Sequence, residues 1–484
     1  MANTDDTRLG RAIIPRLAAN PGRSGIYPLS NAREAFAARI LLAQAADRSL
    51  DLQYYVWHGD TTGQLLFEAV WQAAERGVRV RMLLDDANTR GLDPTIAALG
   101  THPNIRIRLF NPFVNRGFRL GDFITDFARV NRRMHNKSFT ADNQVTIVGG
   151  RNVGDEYYGA DVDVGFRDLD VMAVGPVVRD VSREFDLYWS SESAYPAASV
   201  VPAIARDEAT RVREAWGNVG QRSDALRYAS AVRDTPLLHA LLSGHLELEW
   251  TTAQLVHDDP SKVLQPLERT ETHMLPRLEL ALGRPMHELD LVSPYFVPGA
   301  DGTAGFRELR ERGVQVRVLT NSLATTDVKP TQAGYSVYRE DLLRAGVRLY
   351  ELKPTPDTAE AKEAAERQGL ADSAAAGLHA KTFSVDRSRI FVGSFNLDPR
   401  SNRLNTEMGI VIASPTLAGR LSAEFDTGMA RDAYEVRLGA DGRGFEWIEK
   451  QGDREIRYST EPETSATERL WTRFLSILPI EWLL

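Results

Sequence analysis

Apolar and polar positions alternate from Leu50 to Trp57 (LDLQYYVW). They then give way to an apolar recurrence near every third or fourth residue across TTGQLLFEAVWQAAERG. The first spacing predicts a strand, and the second an amphipathic helix stopped at Gly77. VRVRMLLDD reads as the next strand, followed by a short helix and the strand IRIRLF. This order implies right-handed crossovers and a largely parallel sheet covered by helices. After a histidine-bearing segment come the buried-looking strand TIVGG, the strand-like DLDVMAVG and the helix-like VVRDVSREFDLYWSS.

The pattern then starts again. SLDLQYYVW is echoed by ELDLVSPYF, GVRVRMLLDD by GVQVRVLTNS and NIRIRLFNP by GVRLYELKP. HNKSFTAD is echoed by HAKTFSVD, and VGGRN by VGSFN. All five echoes keep their order, at offsets between 236 and 244 residues. A set of this kind means two copies of one α/β unit. The expected layout is an N-terminal extension (1–29), a first copy (30–240), a second copy (245–430) and a C-terminal extension (431–484) docked on the body. GFEWIEKQGDREIRYST within that last part reads as a hairpin.

Composition adds limits. Of 484 residues, 43% are apolar and 26% charged, enough for more than one buried core. With no cysteine, thiolate chemistry, disulfides and cysteine-held metals are excluded. A net charge of -8 gives no overall pull on nucleic acid or anionic lipid, so such contact needs a local patch. The N-terminus, with its early acids, is a poor secretory signal, and no stretch is long and apolar enough to span a membrane.

Three segments depart from the repeat. Residues 111–134 interleave Arg116, Arg119, Arg129, Arg132 and Arg133 with Phe113, Phe118, Phe123 and Phe127. That mixture reads either as a solvated helix with one packed face or as a basic-aromatic rim for phosphate headgroups. Residues 354–377 are rich in Ala, Glu and Asp, with a possible helix at TAEAKEAAERQG. The apolar ending after Leu470 reads as a docked tail or as an interfacial anchor through Trp471 and Trp482.

The candidate chemistry lies in a motif present in each copy: His, one residue, Lys, four residues, Asp. These are His135, Lys137 and Asp142, then His379, Lys381 and Asp386. Strand alternation puts His and Lys on one face, where both can converge on a small anion. The aspartates fall near turns and are better placed to order the motif than to touch substrate. Each motif is followed by small residues and an asparagine: Gly149, Gly150 and Asn152, then Gly393, Ser394 and Asn396. Gly150 and Ser394 allow close approach of a bound group, and Tyr54 and Tyr295 are further candidate substrate contacts. Asp168 and Glu407 occupy matching places, seven residues before Gly175-Pro176 and Ser414-Pro415, and are candidates for orienting the histidine rings. Asp170 is a rival to Asp168. Of the other histidines, His58 follows a strand and could line a pocket.

This set suits phosphodiester chemistry. One imidazole can attack phosphorus while a second protonates the leaving alcohol. Two lysines and two asparagines can meet the growing negative charge with no metal or cofactor. Each copy supplies one histidine, so the site is expected at the seam, complete within one chain.

With these motifs the chain resembles the phospholipase D superfamily. It is closest to bacterial cardiolipin synthases of the C type through LQYYVWHGDTTG, NRRMHNKSFTADNQVTIVGGRN, FRDLDVMAVGP, GLHAKTFSVDRSRIFVGSFNLDPRS and LNTEMGIVI. The resemblance implies a phosphatidyltransferase that makes cardiolipin through a covalent phosphohistidine. His135 would be the nucleophile and His379 the acid and base. It implies phosphatidylglycerol and phosphatidylethanolamine as lipid partners. It also implies peripheral attachment to the cytoplasmic face of a bacterial inner membrane, with no nucleic-acid partner. A hydrolytic phospholipase D, a nuclease and a lipid-binding scaffold with a dead site are the competing readings.

Overall fold

The helix read from TTGQLLFEAVWQAAERG forms over Thr61–Glu75. The Asp60 side chain accepts from the Gly63 N–H at its start, and Gly77 takes a φ of 93° just beyond its end. That is the capped start and left-handed exit expected of an amphipathic helix. The computed structural model describes residues 3–161, 164–242, 245–354, 375–452, 454–479 and 481–483. The helix expected at TAEAKEAAERQG lies outside these residues.

Strands β1 (Ser24–Leu29), β2 (Ser49–Val56), β3 (Arg79–Asn88), β4 (Ile105–Phe110), β5 (Ser138–Ala141) and β6 (Val145–Gly149) belong to a first sheet. After β7 (Val164–Arg167), this sheet is completed by β8 (Asp170–Val174), β9 (Ala194–Pro196) and β10 (Glu249–Thr251). Its order is β10-β1-β8-β6-β5-β2-β3-β4-β9. The second half supplies β11 (Ala253–His257), β12 (Glu288–Val292), β13 (Gln315–Asn321), β14 (Arg348–Leu352), β15 (Ala375–Leu378), β16 (Lys381–Val385), β17 (Arg389–Gly393) and β18 (Met408–Ile412). β19 (Ala433–Leu438), β20 (Phe445–Gln451) and β21 (Arg454–Tyr458) follow. The second sheet runs β11-β18-β17-β16-β12-β13-β14-β19-β20-β21.

Both sheets are mixed and flanked by helices, in an internally duplicated α/β architecture. They are not largely parallel, as the crossover pattern implied. Within these two sheets parallel pairing is confined to β2–β3–β4 and β12–β13–β14, and the other neighbours run antiparallel; β7 and β15 form a separate parallel pair. The cause is local. Asp142 and Asn143 have φ near 51° and 52°, and Asp386 and Arg387 near 50° and 49°. Two consecutive left-handed residues make a tight hairpin turn, so β5–β6 and β16–β17 fold back on themselves.

Both terminal extensions supply strands to the sheets. β1, placed in an N-terminal extension, pairs with both β8 and β10 and is an inner strand. β19, placed in the C-terminal extension, pairs with β14 and carries the β20–β21 hairpin as a continuation of the second sheet.

Each half has its own apolar core, and a third lies between them. There Val148, Val171 and Val181 of the first half meet Ile390, Val392 and Ile410 of the second. Each fully buried aliphatic side chain contributes roughly 1.5–3 kcal/mol. The seam is therefore a packed interior.

Candidate active site

The two histidine motifs are tied to the seam through their backbones before any side chain meets another. The His135 N–H donates to the Thr406 carbonyl at 2.8 Å, and the Thr406 N–H returns to the Arg133 carbonyl at 2.9 Å. In the other half the His379 N–H donates to the Arg167 carbonyl at 2.9 Å, where β15 runs parallel to β7. Thr406 precedes Glu407, and Arg167 precedes Asp168. Each histidine is thus pinned beside the carboxylate of the opposite half.

The side chains complete that crossing. His135 Nδ1 lies 2.8 Å from Glu407 Oε2, and His379 Nδ1 lies 2.6 Å from Asp168 Oδ2. All four residues are buried. Asp170 takes no part, because Arg39 and the Arg151 N–H hold its carboxylate at 2.9 and 3.1 Å. The residues just before the histidines are anchored in parallel ways. Asp85 Oδ2 accepts from the Met134 N–H at 2.8 Å, and Asn321 bonds both backbone groups of Leu378 at 2.9 and 3.0 Å.

Lys137 Nζ donates to the His135 carbonyl at 2.6 Å, and Lys381 Nζ donates to the His379 carbonyl. One of three ammonium donors is used in each case, which leaves two for a bound anion. Asp142 accepts from the N–H groups of Asp47, Arg48 and Ser49 at 2.7–2.9 Å. Asp386 does the same for Met286, His287 and Glu288. Both motif aspartates are therefore turn anchors, away from the rings. Asn152 is held by Tyr157 Oη at 3.0 Å and by the Val56 N–H at 3.2 Å, whereas Asn396 Oδ1 is buried with no partner.

The small residues differ for a steric reason. A Cβ added at Gly150 would lie 2.1 Å from Asp168 Oδ1, so nothing larger than glycine fits there. Glu407 is one methylene longer, and Ser394 fills the corresponding place and donates its hydroxyl to Glu407 Oε2. Ser401 donates to Oε1 at 2.8 Å.

Electrostatics separate the two pairs. Burial and then the charges of Lys137, Lys381 and His379 push the His135 imidazole well below its usual value. His379 is lowered too, by burial and by Lys381, but Asp168 opposes the shift. Burial would raise Asp168, yet the charge and hydrogen bond of His379, with Lys381, outweigh it and hold the carboxyl at about 2. Burial wins at Glu407, which is pushed up to about 7 although Lys137 and two serine hydroxyls pull the other way. Burial also lowers Lys381 to about 8.

Of the two candidate tyrosines, Tyr295 borders the site: its ring lies 6.0 Å from Lys381 Nζ and its hydroxyl donates to Asp327 at 2.8 Å. Tyr54 does not. Its hydroxyl accepts from Arg39 at 2.9 Å in the core. Alternation along β2 turns Tyr55 to the site instead, with its ring 4.9 Å from that of His135. The rings of Tyr157 and Phe166 flank His379 at 5.1 and 5.3 Å. Tyr157 and Ser401 each follow a motif asparagine by five residues, a spacing that could have marked both. His58 lies apart from the histidine pair's contacts. With Asp60 and Glu156 it brings ligand-type atoms within 4.8 Å of one another.

The arginine-rich segment is turned the opposite way from the headgroup-rim reading. Arg116 is paired with Asp86 and Asp93, Arg133 with Asp85, and Arg132 donates to the Val263 carbonyl at 3.2 Å. Phe113 is buried, while Val114, Phe118, Leu120 and Ile124 face solvent. Acidic side chains and carbonyls beneath the segment engage these guanidinium groups, leaving Val114, Phe118, Leu120 and Ile124 outside.

Residues 39–189 and 279–429 match the family model described as cardiolipin synthase, phospholipase D-like domain, so the match itself is duplicated. The chain belongs to this family. It is 46% identical to cardiolipin synthase C of Escherichia coli over 99% of this chain and 100% of that protein. It is 25% identical to the major cardiolipin synthase of Bacillus subtilis, over 82% of this chain and 67% of that one. Among solved structures, a phosphatidylserine synthase of Haemophilus influenzae superposes with a TM-score of 0.59 at 15% identity, covering 100% of both chains, a likeness of fold.

Proposed function

We propose that this chain is a phosphatidyltransferase that joins two phospholipids into cardiolipin through a phosphohistidine intermediate. The observation that carries the reading is the crossed pair of histidine–carboxylate contacts, supported by full-length similarity to a cardiolipin synthase. With Glu407 ionised, the Nδ1–H of His135 donates to it and Nε2 keeps its lone pair for attack on phosphorus. His379, beside the more acidic Asp168, carries the proton that the departing alcohol needs. The bond from phosphorus to the leaving oxygen breaks as the bond to His135 Nε2 forms. His379, now neutral, takes the proton of the incoming lipid hydroxyl, whose oxygen then displaces His135. Lys137, Lys381 and the amide of Asn396 offer donors to the phosphoryl oxygens.

Phosphatidylglycerol as acceptor and phosphatidylethanolamine as donor are part of this proposal, as is the cytoplasmic face of a bacterial inner membrane. Among the described residues no helix is long and apolar enough to cross a membrane. Two exposed apolar patches offer peripheral contact. One is Val114, Phe118, Leu120 and Ile124, and the other is Leu470, Trp471, Phe474 and Ile477 on the helix Ala466–Ile477. Arg400 ties their flanks together, bonding Asn131 Oδ1 at 2.8 Å and the Leu483 carbonyl at 2.7 Å. It stands one residue from Ser401, which holds Glu407.

The test is mass analysis of products after mixing the enzyme with both lipids, with a nucleic-acid substrate in parallel. Cardiolipin is expected. Phosphatidic acid alone would replace transfer by hydrolysis, and cleavage of the nucleic acid would overturn the lipid assignment.

A further inference from the structure

The two halves differ beneath their matched strands. In the first, the helix before β2 runs Ala32–Ala45, and the sheet face is filled by buried aromatics. Trp57 stacks on Phe67 at 4.7 Å, and Trp216 packs against both Phe67 and Trp71. In the second, the helix before β12 is Met274–Leu282, 9 residues against 14, and a cavity of about 1190 Å³ remains. Small-molecule sites run to roughly 300–1,000 Å³.

Its floor is apolar: Leu289 and Leu291 of β12 beside their register partners Val385 and Phe383 of β16. Phe383 and Val385 continue the row that Lys381 begins, because alternate residues share a sheet face. One end is bounded by Asp398 and Pro399, and Ser401 just beyond them holds Glu407. The cavity therefore abuts the reaction centre across one short turn. Arg284 lines the cavity and is paired with Glu308 at 3.2 Å, and its neighbours in sequence, Leu280 and Met286, are 83% and 61% exposed. Pro479 and Glu481 bound it elsewhere, directly after the exposed helix Ala466–Ile477.

Exposed apolar side chains close to an apolar-floored cavity that abuts the phosphate site suit a hydrocarbon chain entering from a lipid surface. A soluble apolar ligand needs no such exposed side chains. We propose that this cavity holds one acyl chain of the phospholipid whose phosphate lies between His135 and His379. The inference rests on the phospholipid reading of the site and adds the place where the substrate's chain is gripped.

Gly305 on the helix Gly299–Glu311 lines the mouth, and a Cβ built there meets no atom within 4 Å. Gly305→Trp fills that space without cutting into the core, and Ala304→Trp, on the exposed neighbour that does not line the cavity, is the control. Monomeric phosphatidylethanolamine with a pyrene-labelled acyl chain is titrated against all three proteins. Turnover of long-chain and of hexanoyl lipids is measured alongside. Excluding a few methylenes is expected to weaken probe binding and long-chain kcat/KM about tenfold or more in Gly305→Trp. Hexanoyl turnover and the control should stay at the wild-type level. Absent probe binding by the wild type, equal binding by all three proteins, or an equal loss on both chain lengths would each overturn the proposal. If no protein turns over either lipid, the reaction assigned above fails, while the titration still decides whether the cavity takes a chain.

Discussion

The first and second halves share a chain path and a histidine motif, yet they finish the site with different chemistry. The first contributes Gly150 and the short Asp168, with no room for a side chain between them. The second contributes Ser394 and the longer Glu407, bridged by a hydroxyl that Ser401 matches on the other oxygen. Because the carboxylates cross the seam, the first half's acid tunes the second half's histidine, and the reverse. Duplication alone would yield two equivalent imidazoles. A reaction that needs a neutral base-like nucleophile and a charged acid at the same moment requires them to differ. Burial and the two lysines depress the His135 imidazole furthest, whereas the charge of Asp168 opposes the same shift at His379, and that supplies the difference.

The largest effect expected is loss of either ring. His135→Ala and His379→Ala should each lower kcat by about 10⁴-fold or more, since each ring acts in both half-reactions. With a nitrophenyl-activated substrate, whose departure needs no acid, His379→Asn should accumulate a covalent adduct visible by intact mass, and His135→Asn should not. An adduct on the His135 variant would reverse the assigned roles.

Next comes the steric contrast. Gly150→Ser drives a side chain into Asp168 and is expected to cost about 10²-fold in kcat/KM. Ser394→Gly removes one hydrogen bond to Glu407 and should cost about tenfold or less. Similar losses in both would dissolve the distinction between the two pairs.

The pH profile sharpens it further. Glu407 must be ionised for the Nδ1–H of His135 to find an acceptor, so kcat/KM should rise with pH through about 7. Lys381 loses its charge as pH climbs through about 8, so activity should fall beyond it. Lys381→Arg keeps the charge and should move the alkaline limb upward, and Glu407→Gln should flatten the acid limb.

The smallest effects concern the two exposed patches. Ile124→Asp or Ile477→Asp should each weaken binding to anionic vesicles about tenfold, read by co-sedimentation, with thermal stability unchanged. Arg132→Glu should do the reverse. It breaks bonds to backbone carbonyls and should destabilise the fold by about 2–4 kcal/mol in a denaturant titration. Vesicle binding lost with Arg132 while stability holds would restore the basic-rim reading of that segment.

Local pattern was enough for the duplicated frame, the strand–helix order, the motif aspartates at turns and the pairing of Asp168 and Glu407 with the histidines as a class. Each of those follows from alternation, helical period or spacing within a few residues. Tertiary structure alone decided which carboxylate meets which ring, because that contact joins residues 272 and 211 positions apart across a docked seam. It also turned Tyr55 to the site and Tyr54 to the core, since the sheet face that becomes interior is chosen by what packs on it. The arginines of residues 111–134 turned inward for the same reason. Composition records that charge is present, but only the docked surface beneath it, here Asp85, Asp86 and Asp93, determines where that charge is neutralised.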